Sequence, residues 1–256
     1  MARAHLSSPP PARLGWAYFL DVDGTLVEFA PSPDGIHVDA DLLGLLKRLH
    51  QAGGGGLALV SGRALADLDT RLDGLRVPMA GQHGLERRDA GGGIHHGAVP
   101  LPHQSIRNLL LGELQAHPGL LLEDKGMTLA LHYRQVPALG AYVHRLMTGL
   151  ANRLGKDYTL QKGKYVLELK PAAADKGKAI AAYLAEPPFA GRHPVFIGDD
   201  VTDEYGFEAI NRLGGLSIKV GTGSTAARHR LADVAAVRNW LAAALEEQAC
   251  AISTSP

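Results

Sequence analysis

Asp21 and Asp23 carry the most chemistry in this chain. They stand i, i+2 in Tyr18-Phe19-Leu20-Asp21-Val22-Asp23-Gly24-Thr25-Leu26, where an aromatic, apolar run ends abruptly in two carboxylates. One such carboxylate can attack phosphorus, and the second can carry protons to and from the reacting oxygens. Three more polar pieces follow: Ser61 in Val60-Ser61-Gly62-Arg63, Lys176 in Asp175-Lys176-Gly177-Lys178, and the run Gly198-Asp199-Asp200-Val201-Thr202-Asp203-Glu204. Phosphoryl transfer needs a set of this kind. Phosphate repels an anionic nucleophile, and Mg²⁺ held by carboxylate oxygens neutralises both. A lysine and a hydroxyl can cradle the equatorial oxygens, and helix N-termini add N–H donors. Each piece alone has a plainer reading: a turn for Asp21–Thr25, a strand-ending turn for Ser61-Gly62, a solvated charge for Lys176, and a helix cap from Asp200 or Thr202. It is the four in this order that specify a site.

The elements around them support that order. Trp16–Leu20 reads as a buried strand, so Asp21 and Asp23 fall at its carboxyl end, where open parallel sheets bind ligands. Asp39–Ala52 has Leu42, Leu45, Leu46 and Leu49 at helical spacing and stops at Gly53–Gly56. That glycine run lacks the following Gly-Lys-Ser/Thr of a P-loop and reads as a flexible turn. Leu57–Val60 is a second strand ending at Ser61, Ala64–Leu72 a helix, and Val77–Ala80 a third strand. The rhythm returns late, with helices over Lys176–Leu184, Val201–Arg212 and Val237–Gln248 and strands over Val195–Ile197 and Leu216–Val220. This alternation predicts an α/β fold, a Rossmann-like parallel sheet with helices on both faces.

The middle has a different pattern. Helices over Pro102–Ala116 and Ala138–Leu154 are each followed by two strands: Leu120–Glu123 and Met127–Arg134, then Tyr158–Leu160 and Tyr165–Leu169 across Lys162-Gly163-Lys164. Helix–strand–strand, twice, predicts a small α/β domain over 102–169 inserted into a core domain of 1–101 and 170–256. Gly91–Pro102 and Pro171–Asp175 are the expected linkers.

Composition narrows the function classes. Lysine plus arginine equals aspartate plus glutamate, 26 each, so nothing points to nucleic acid or an anionic membrane as partner. The single cysteine, Cys250, has no internal disulfide partner. No apolar run approaches a transmembrane span, and the start, MARAHLSSPPPARLG, lacks the apolar centre of a secretion signal. A cytoplasmic monomer acting on a small molecule is the expectation.

The four pieces together resemble the motif pattern of the haloacid dehalogenase superfamily of phosphohydrolases. The resemblance implies Asp21 as nucleophile, forming an aspartyl-phosphate, and Asp23 as general acid and then base. It implies Ser61, Gly62 and Lys176 as holders of the phosphoryl group. Asp21, the backbone carbonyl of Asp23, and Asp199 would ligate Mg²⁺. Asp203 and Asp200 would stand behind them, Asp203 orienting Lys176 or metal-bound water. Further pieces are similar to one family within it, the trehalose-6-phosphate phosphatases: Val60-Ser61-Gly62-Arg63, Ala80-Gly81-Gln82-His83-Gly84-Leu85-Glu86, Glu123-Asp124-Lys125-Gly126, Leu131-His132-Tyr133-Arg134 and Leu167-Glu168-Leu169-Lys170-Pro171. That similarity, from about Tyr18 to Trp240, implies a mobile cap closing over a disaccharide phosphate. Glu123, Lys125 and Glu168 would contact its sugar hydroxyls, as carboxylates and an ammonium suit. The plainer reading is a charged hairpin on a solvated surface. His83 either lines the substrate groove or is a turn residue satisfied by backbone. Arg63 either meets phosphate or pairs with a carboxylate, and His95-His96 reads as a solvated linker. Rivals are another sugar phosphatase, such as a sucrose-phosphate phosphatase, a phosphosugar mutase, and a non-catalytic sugar-phosphate sensor.

Overall fold

The computed structural model describes residues 6–29, 35–97, 102–163 and 165–253, with His103 and 247–253 as backbone only. Outside the described residues lie the first five of the proline-rich start, positions 98–101 of the first expected linker, Lys164 of the second hairpin, and the Cys250 side chain. The chain divides into two compact units, Met1–His95 with Lys176–Pro256, and His96–Asp175.

The larger unit is built on an eight-stranded sheet. Its strands are β1 (Ala17–Leu20), β2 (Leu57–Val60), β3 (Met79–Gly81), β4 (Glu86–Arg88), β5 (Ile94–His96), and, beyond the small unit, β10 (Pro194–Gly198), β11 (Leu216–Val220) and β12 (His229–Leu231). The order is β12-β11-β10-β1-β2-β3-β4-β5. From β12 to β3 all neighbours are parallel, and β4 returns antiparallel to β3. The central strands are apolar throughout because both faces are covered. Tyr18 and Leu20 of β1 pack with helices α1 (Ala40–Ala52) and α7 (Val234–Ser253), while Ala17 and Phe19 pack with α5 (Lys176–Leu184) and α6 (Glu204–Arg212).

Helix α1 shows how sequence makes an element here. Asp39 caps it by accepting the Leu42 N–H at 2.7 Å, and Leu42, Leu45, Leu46 and Leu49 are all buried. Each buried leucine contributes about 1.5–3 kcal/mol of transfer free energy. The glycine turn after it is held in place: Arg192 donates to the carbonyls of Gly53 and Gly54. The expected turn is there, and the guanidinium ties its backbone to the segment before β10.

Three short strands, β4, β5 and β12, were not expected. β5 falls within the segment read as the Gly91–Pro102 linker, and its exposed His95 pairs with Asp89 at 2.7 Å. The expected helix over Val201–Arg212 divides into a 3₁₀ turn, Val201–Asp203, and α6. The cause is Asp203, which folds back to accept the N–H groups of Asp199 and Asp200, both at 2.9 Å.

The smaller unit carries a four-stranded antiparallel sheet in the order β6-β7-β9-β8, from β6 (Leu121–Asp124), β7 (Leu129–His132), β8 (Tyr158–Gly163) and β9 (Val166–Pro171). Helices α3 (His103–Ala116) and α4 (Gly140–Leu154) cover one face, through Leu110, Val143 and Met147 against Leu129, Leu131, Leu167 and Leu169. Period-two alternation sends the intervening residues to the other face. Glu123, Ala130, Glu168 and Gln161 stand directly opposite one another there, in a single row across all four strands. Among the described residues, no helix is long and apolar enough to cross a membrane.

Candidate active site

Parallel strands β1, β2, β10 and β11 end on one edge of the sheet, and Asp21, Ser61 and Asp199 are the residues that follow the first three. Lys176 opens α5. At the centre Lys176, only 2% exposed, donates to Asp21 Oδ1 and to Asp203 Oδ1, each at 2.6 Å. Thr25, fully buried, reaches Asp21 Oδ2 at 3.3 Å and Asp199 Oδ1 at 3.4 Å. Both Asp21 oxygens therefore have a donor, which fixes the carboxylate's plane.

Gly24 makes this crowding possible. Its φ of +79° suits glycine, and a Cβ there would stand 2.4 Å from Asp199 Oδ2. The space a side chain there would fill is taken by the Asp199 carboxylate and the Phe29 ring.

The electrostatics are unbalanced in a telling way. Burial raises the Asp21 carboxyl well above the ordinary carboxylate range; Lys176 opposes this, and Asp203 and Asp199 push the same way as burial. Burial and the neighbouring Asp203 take Asp199 to about 7, against the pull of Lys176. Burial works against a charged Lys176, yet Asp203 and Asp21 outweigh it and hold the ammonium above its usual value. One ammonium faces three carboxylates. Asp21, Asp199 and Asp203 each offer an oxygen within 4.8 Å of the others, a hard-oxygen donor set of the kind a divalent cation takes. Asp203 is wholly buried, and its oxygens are already engaged by Lys176 and by two backbone N–H groups. Each Asp203 oxygen thus already accepts from a donor of this cluster.

Asp23 lies at the side of this cluster, gripped by Arg63. Nε donates to Asp23 Oδ2 and Nη2 to Oδ1, both at 2.7 Å, while Nη1 donates to Asp67 Oδ2 at 2.7 Å. Asp67 belongs to α2 (Leu65–Arg71) and also accepts Arg71 Nε at 2.8 Å. Of the two readings of Arg63, its guanidinium takes the carboxylate one. Burial opposes its charge, but Asp23 and Asp67 prevail and keep it protonated.

Ser61 is buried beside this group, and its Oγ accepts the Arg63 N–H at 3.1 Å. The His83 ring packs over Gly62, where an added Cβ would come within 2.8 Å of it. His83 itself sits at φ +59°, with its N–H on the Ser61 carbonyl at 3.0 Å. A left-handed backbone at a bulky residue is uncommon. Here it brings the Gln82–Gly84 turn against the Ser61-Gly62 loop. Asp200 is half-buried and caps the Val201–Asp203 turn.

The remaining candidate residues belong to the small unit and form a cluster of their own. Glu168, 6% exposed, accepts Thr128 Oγ1 at 2.5 Å and Lys125 Nζ at 3.3 Å. Glu123 pairs with His132 Nε2 at 2.8 Å. Burial raises Glu123, but His132 and Lys125 outweigh it and leave the carboxyl below its usual range. These are paired, partly buried charges, so the solvated-hairpin reading does not describe them. Sequence reasoning overlooked Thr25, Asp67, Thr128, His132 and Lys219. Thr25 and His132 were inside quoted motifs, but nothing in the sequence marked their partners.

A parallel-sheet core with an acidic pair after β1, a lysine at a helix start and a second acidic run after β10 defines a phosphohydrolase of the haloacid dehalogenase type. Solved structures agree on the fold: one of the C. albicans trehalose-6-phosphate phosphatase C-terminal domain superposes with a TM-score of 0.79 over 89% of this chain and 92% of that one, at 23% identity. A trehalose-6-phosphate phosphatase related protein gives 0.78 at 28% identity, over 91% and 99%. The model of the trehalose-phosphatase family matches residues 19–237, and the chain belongs to that family. The trehalose-6-phosphate phosphatase of Escherichia coli (strain K12) is 47% identical over 242 residues, 92% of this chain and 89% of the relative. A probable trehalose-phosphate phosphatase of Sinorhizobium fredii (strain NBRC 101917 / NGR234) is 45% identical, over 80% and 78%.

Proposed function

We propose that this chain hydrolyses trehalose 6-phosphate to trehalose and phosphate, as a Mg²⁺-dependent phosphatase working through a phosphoryl group on Asp21. The observation that carries the chemistry is the buried Lys176 ammonium between Asp21 and Asp203. It fixes the nucleophile and supplies a charge to the phosphoryl oxygens. The substrate rests on family membership and on the relatives' activity.

An Asp21 oxygen attacks phosphorus as the bond from phosphorus to the sugar oxygen breaks. The electron pair goes to that oxygen, and Asp23 delivers its proton. Water then attacks the same phosphorus, Asp23 takes the water's proton, and the bond to Asp21 breaks with its electron pair returning to the carboxylate. Arg63 uses one lone pair on each Asp23 oxygen, leaving others for the proton. Arg63 is thus assigned to positioning Asp23. Ser61, Gly62 and Lys176 hold the phosphoryl group, and His83 backs their loop on the substrate side. Mg²⁺ held by Asp21, Asp199 and the Asp23 carbonyl would neutralise the phosphoryl oxygens. Asp200 and Asp203 keep that loop in shape.

The small unit is assigned to sugar recognition, through Glu123, Lys125 and Glu168. Water exclusion on its closure would complete the site. The balanced charge gives no reason to expect nucleic acid or an anionic membrane as partner, and a cytoplasmic monomer is part of the proposal. Phosphate release from trehalose 6-phosphate, beside sucrose 6-phosphate, glucose 6-phosphate and an EDTA control, tests the proposal. A Mg²⁺-dependent preference for trehalose 6-phosphate is expected. Preference for another ester would discard the sugar assignment, and binding without release would replace the enzyme with a sensor.

A further inference from the structure

Lys219 is out of place for its element. β11 runs Leu216-Ser217-Ile218-Lys219-Val220, an interior strand with parallel neighbours on both sides, and all five residues are buried. Lysine is almost never buried without a paired charge. Lys219 is 6% exposed, yet among the described residues no carboxylate pairs with it. Its ammonium donates instead to two backbone carbonyls, those of Val220 at 2.9 Å and of Asp199. A methionine of similar length would fill the space without the cost of a buried charge. Packing therefore does not account for the ammonium.

Asp199 stands opposite no regular element; it begins the loop after β10. Gly198 is still in register with Lys219, and from the next residue the ladder ends. The Asp199 peptide is held from two sides nonetheless. Its N–H is fixed by Asp203 Oδ2 at 2.9 Å, and its carbonyl by Lys219. Its carboxylate then meets Thr25 and lies over Gly24.

We propose that Lys219 is a positioning residue for the metal centre: it fixes the Asp199 main chain so that the carboxylate is presented to the cation. The inference rests on the reading of Asp21 and Asp199 as ligands of Mg²⁺. Groups that orient metal ligands from behind typically change metal affinity by about 10–100-fold when removed. Charge and position predict opposite signs here. An ammonium repels a nearby cation, so removing it for charge alone would tighten binding. Removing an anchor would weaken it.

Mg²⁺ alone is titrated into the substrate-free protein by calorimetry, for wild type, Lys219→Met, Lys219→Arg and Ser217→Ala. Ser217 lies on the same strand and bonds to Asn211 Oδ1 at 2.7 Å, so its variant disturbs the strand without touching Asp199. Lys219→Met is expected to bind Mg²⁺ about 10-fold or more weakly, Lys219→Arg to recover most of the loss, and Ser217→Ala to match wild type. Unchanged or tighter binding by a folded Lys219→Met would overturn the proposal, as would an equal loss in Ser217→Ala. Should Lys219→Met not fold, Lys219→Gln, with a shorter arm and no charge, enters the same titration with the same expected loss. Wild type that takes no Mg²⁺ would sink the metal reading itself. A wrong sugar assignment would leave the titration unaffected, because no substrate is present.

Discussion

The two polar clusters are built on opposite principles. In the larger unit Lys176, Asp21 and Asp203 form a sealed network, supplied by loops after parallel strands and by a helix start far apart in sequence. In the smaller unit Glu123 of β6 and Glu168 of β9 share the sheet face that the helices leave uncovered, with Ala130 of β7 between them, and Lys125, just past β6, reaches Glu168. The first arrangement concentrates charge and fixes it to fractions of an ångström, as bond making requires. The second lays charged hydrogen-bonding groups along a row, as hydroxyl recognition requires. On the proposed roles, chemistry and specificity can therefore be damaged separately.

The largest effect should come from the sealed network. Asp21→Asn is expected to lower turnover by on the order of 10⁴ or more for every phosphate ester. Steady-state phosphate release, with circular dichroism as a fold check, measures this. Near-wild-type turnover in the folded variant would remove Asp21 as nucleophile.

Arg63→Met sharpens the contrast within the larger unit. It should cost about 10²–10³ on trehalose 6-phosphate, whose sugar oxygen needs a proton on leaving. The formation of phosphoryl-enzyme from p-nitrophenyl phosphate, with a leaving group that needs none, should fall much less. Pre-steady-state release of nitrophenol separates that step from later hydrolysis, and equal losses on both esters would deny Arg63 its hold on Asp23 as an acid.

Glu168→Ala should do the reverse of a core variant. A hydrogen bond to a charged group contributes about 1.5–3 kcal/mol, so kcat/KM for trehalose 6-phosphate should drop about 10–100-fold. Hydrolysis of p-nitrophenyl phosphate should stay within about threefold, because it lacks the hydroxyls at issue. Parallel losses on both would merge the two regions into one role.

The smallest effect should fall on the scaffold. Asp39→Ala removes the α1 cap and the Arg238 pair at 2.6 Å, and should cost about 1 kcal/mol in urea unfolding with activity unchanged. Arg238 and the Leu42 N–H hold the Asp39 carboxyl below its ordinary value. A lowered native value means stabilisation present above the unfolded-state pKa of about 3.9 and lost as pH falls through the native one. The gap between wild type and variant should therefore close on acidification below that range.

Much of the fold was legible because its signals are local and repeated. The leucines of α1 declare a helical period, β11 alternates, and β1 and β2 stand out as short unbroken apolar runs. β4, β5 and β12 have three residues each, too few to show any. β5 is the exposed edge strand and β4 beside it is charged and only half-buried, so burial leaves little mark on their composition. The acidic pairs and Lys176 were legible as candidates because loops after strands gather at one edge. Partnership was not. Arg63 had two plausible anions, and only the fold brings Asp23 and Asp67 to its three donors. Lys219 drew no reading of its own inside the expected strand Leu216–Val220. Its burial comes from neighbours distant in sequence, which no window of the chain contains.

A phosphoryl group carried on Asp21 can be trapped there chemically. Wild type turning over trehalose 6-phosphate with Mg²⁺ would be quenched in acid, reduced with borohydride and mapped by peptide mass. Conversion of Asp21 to homoserine is expected, dependent on substrate and lost in Asp21→Asn. Modification at another carboxylate under the same turnover would contradict it.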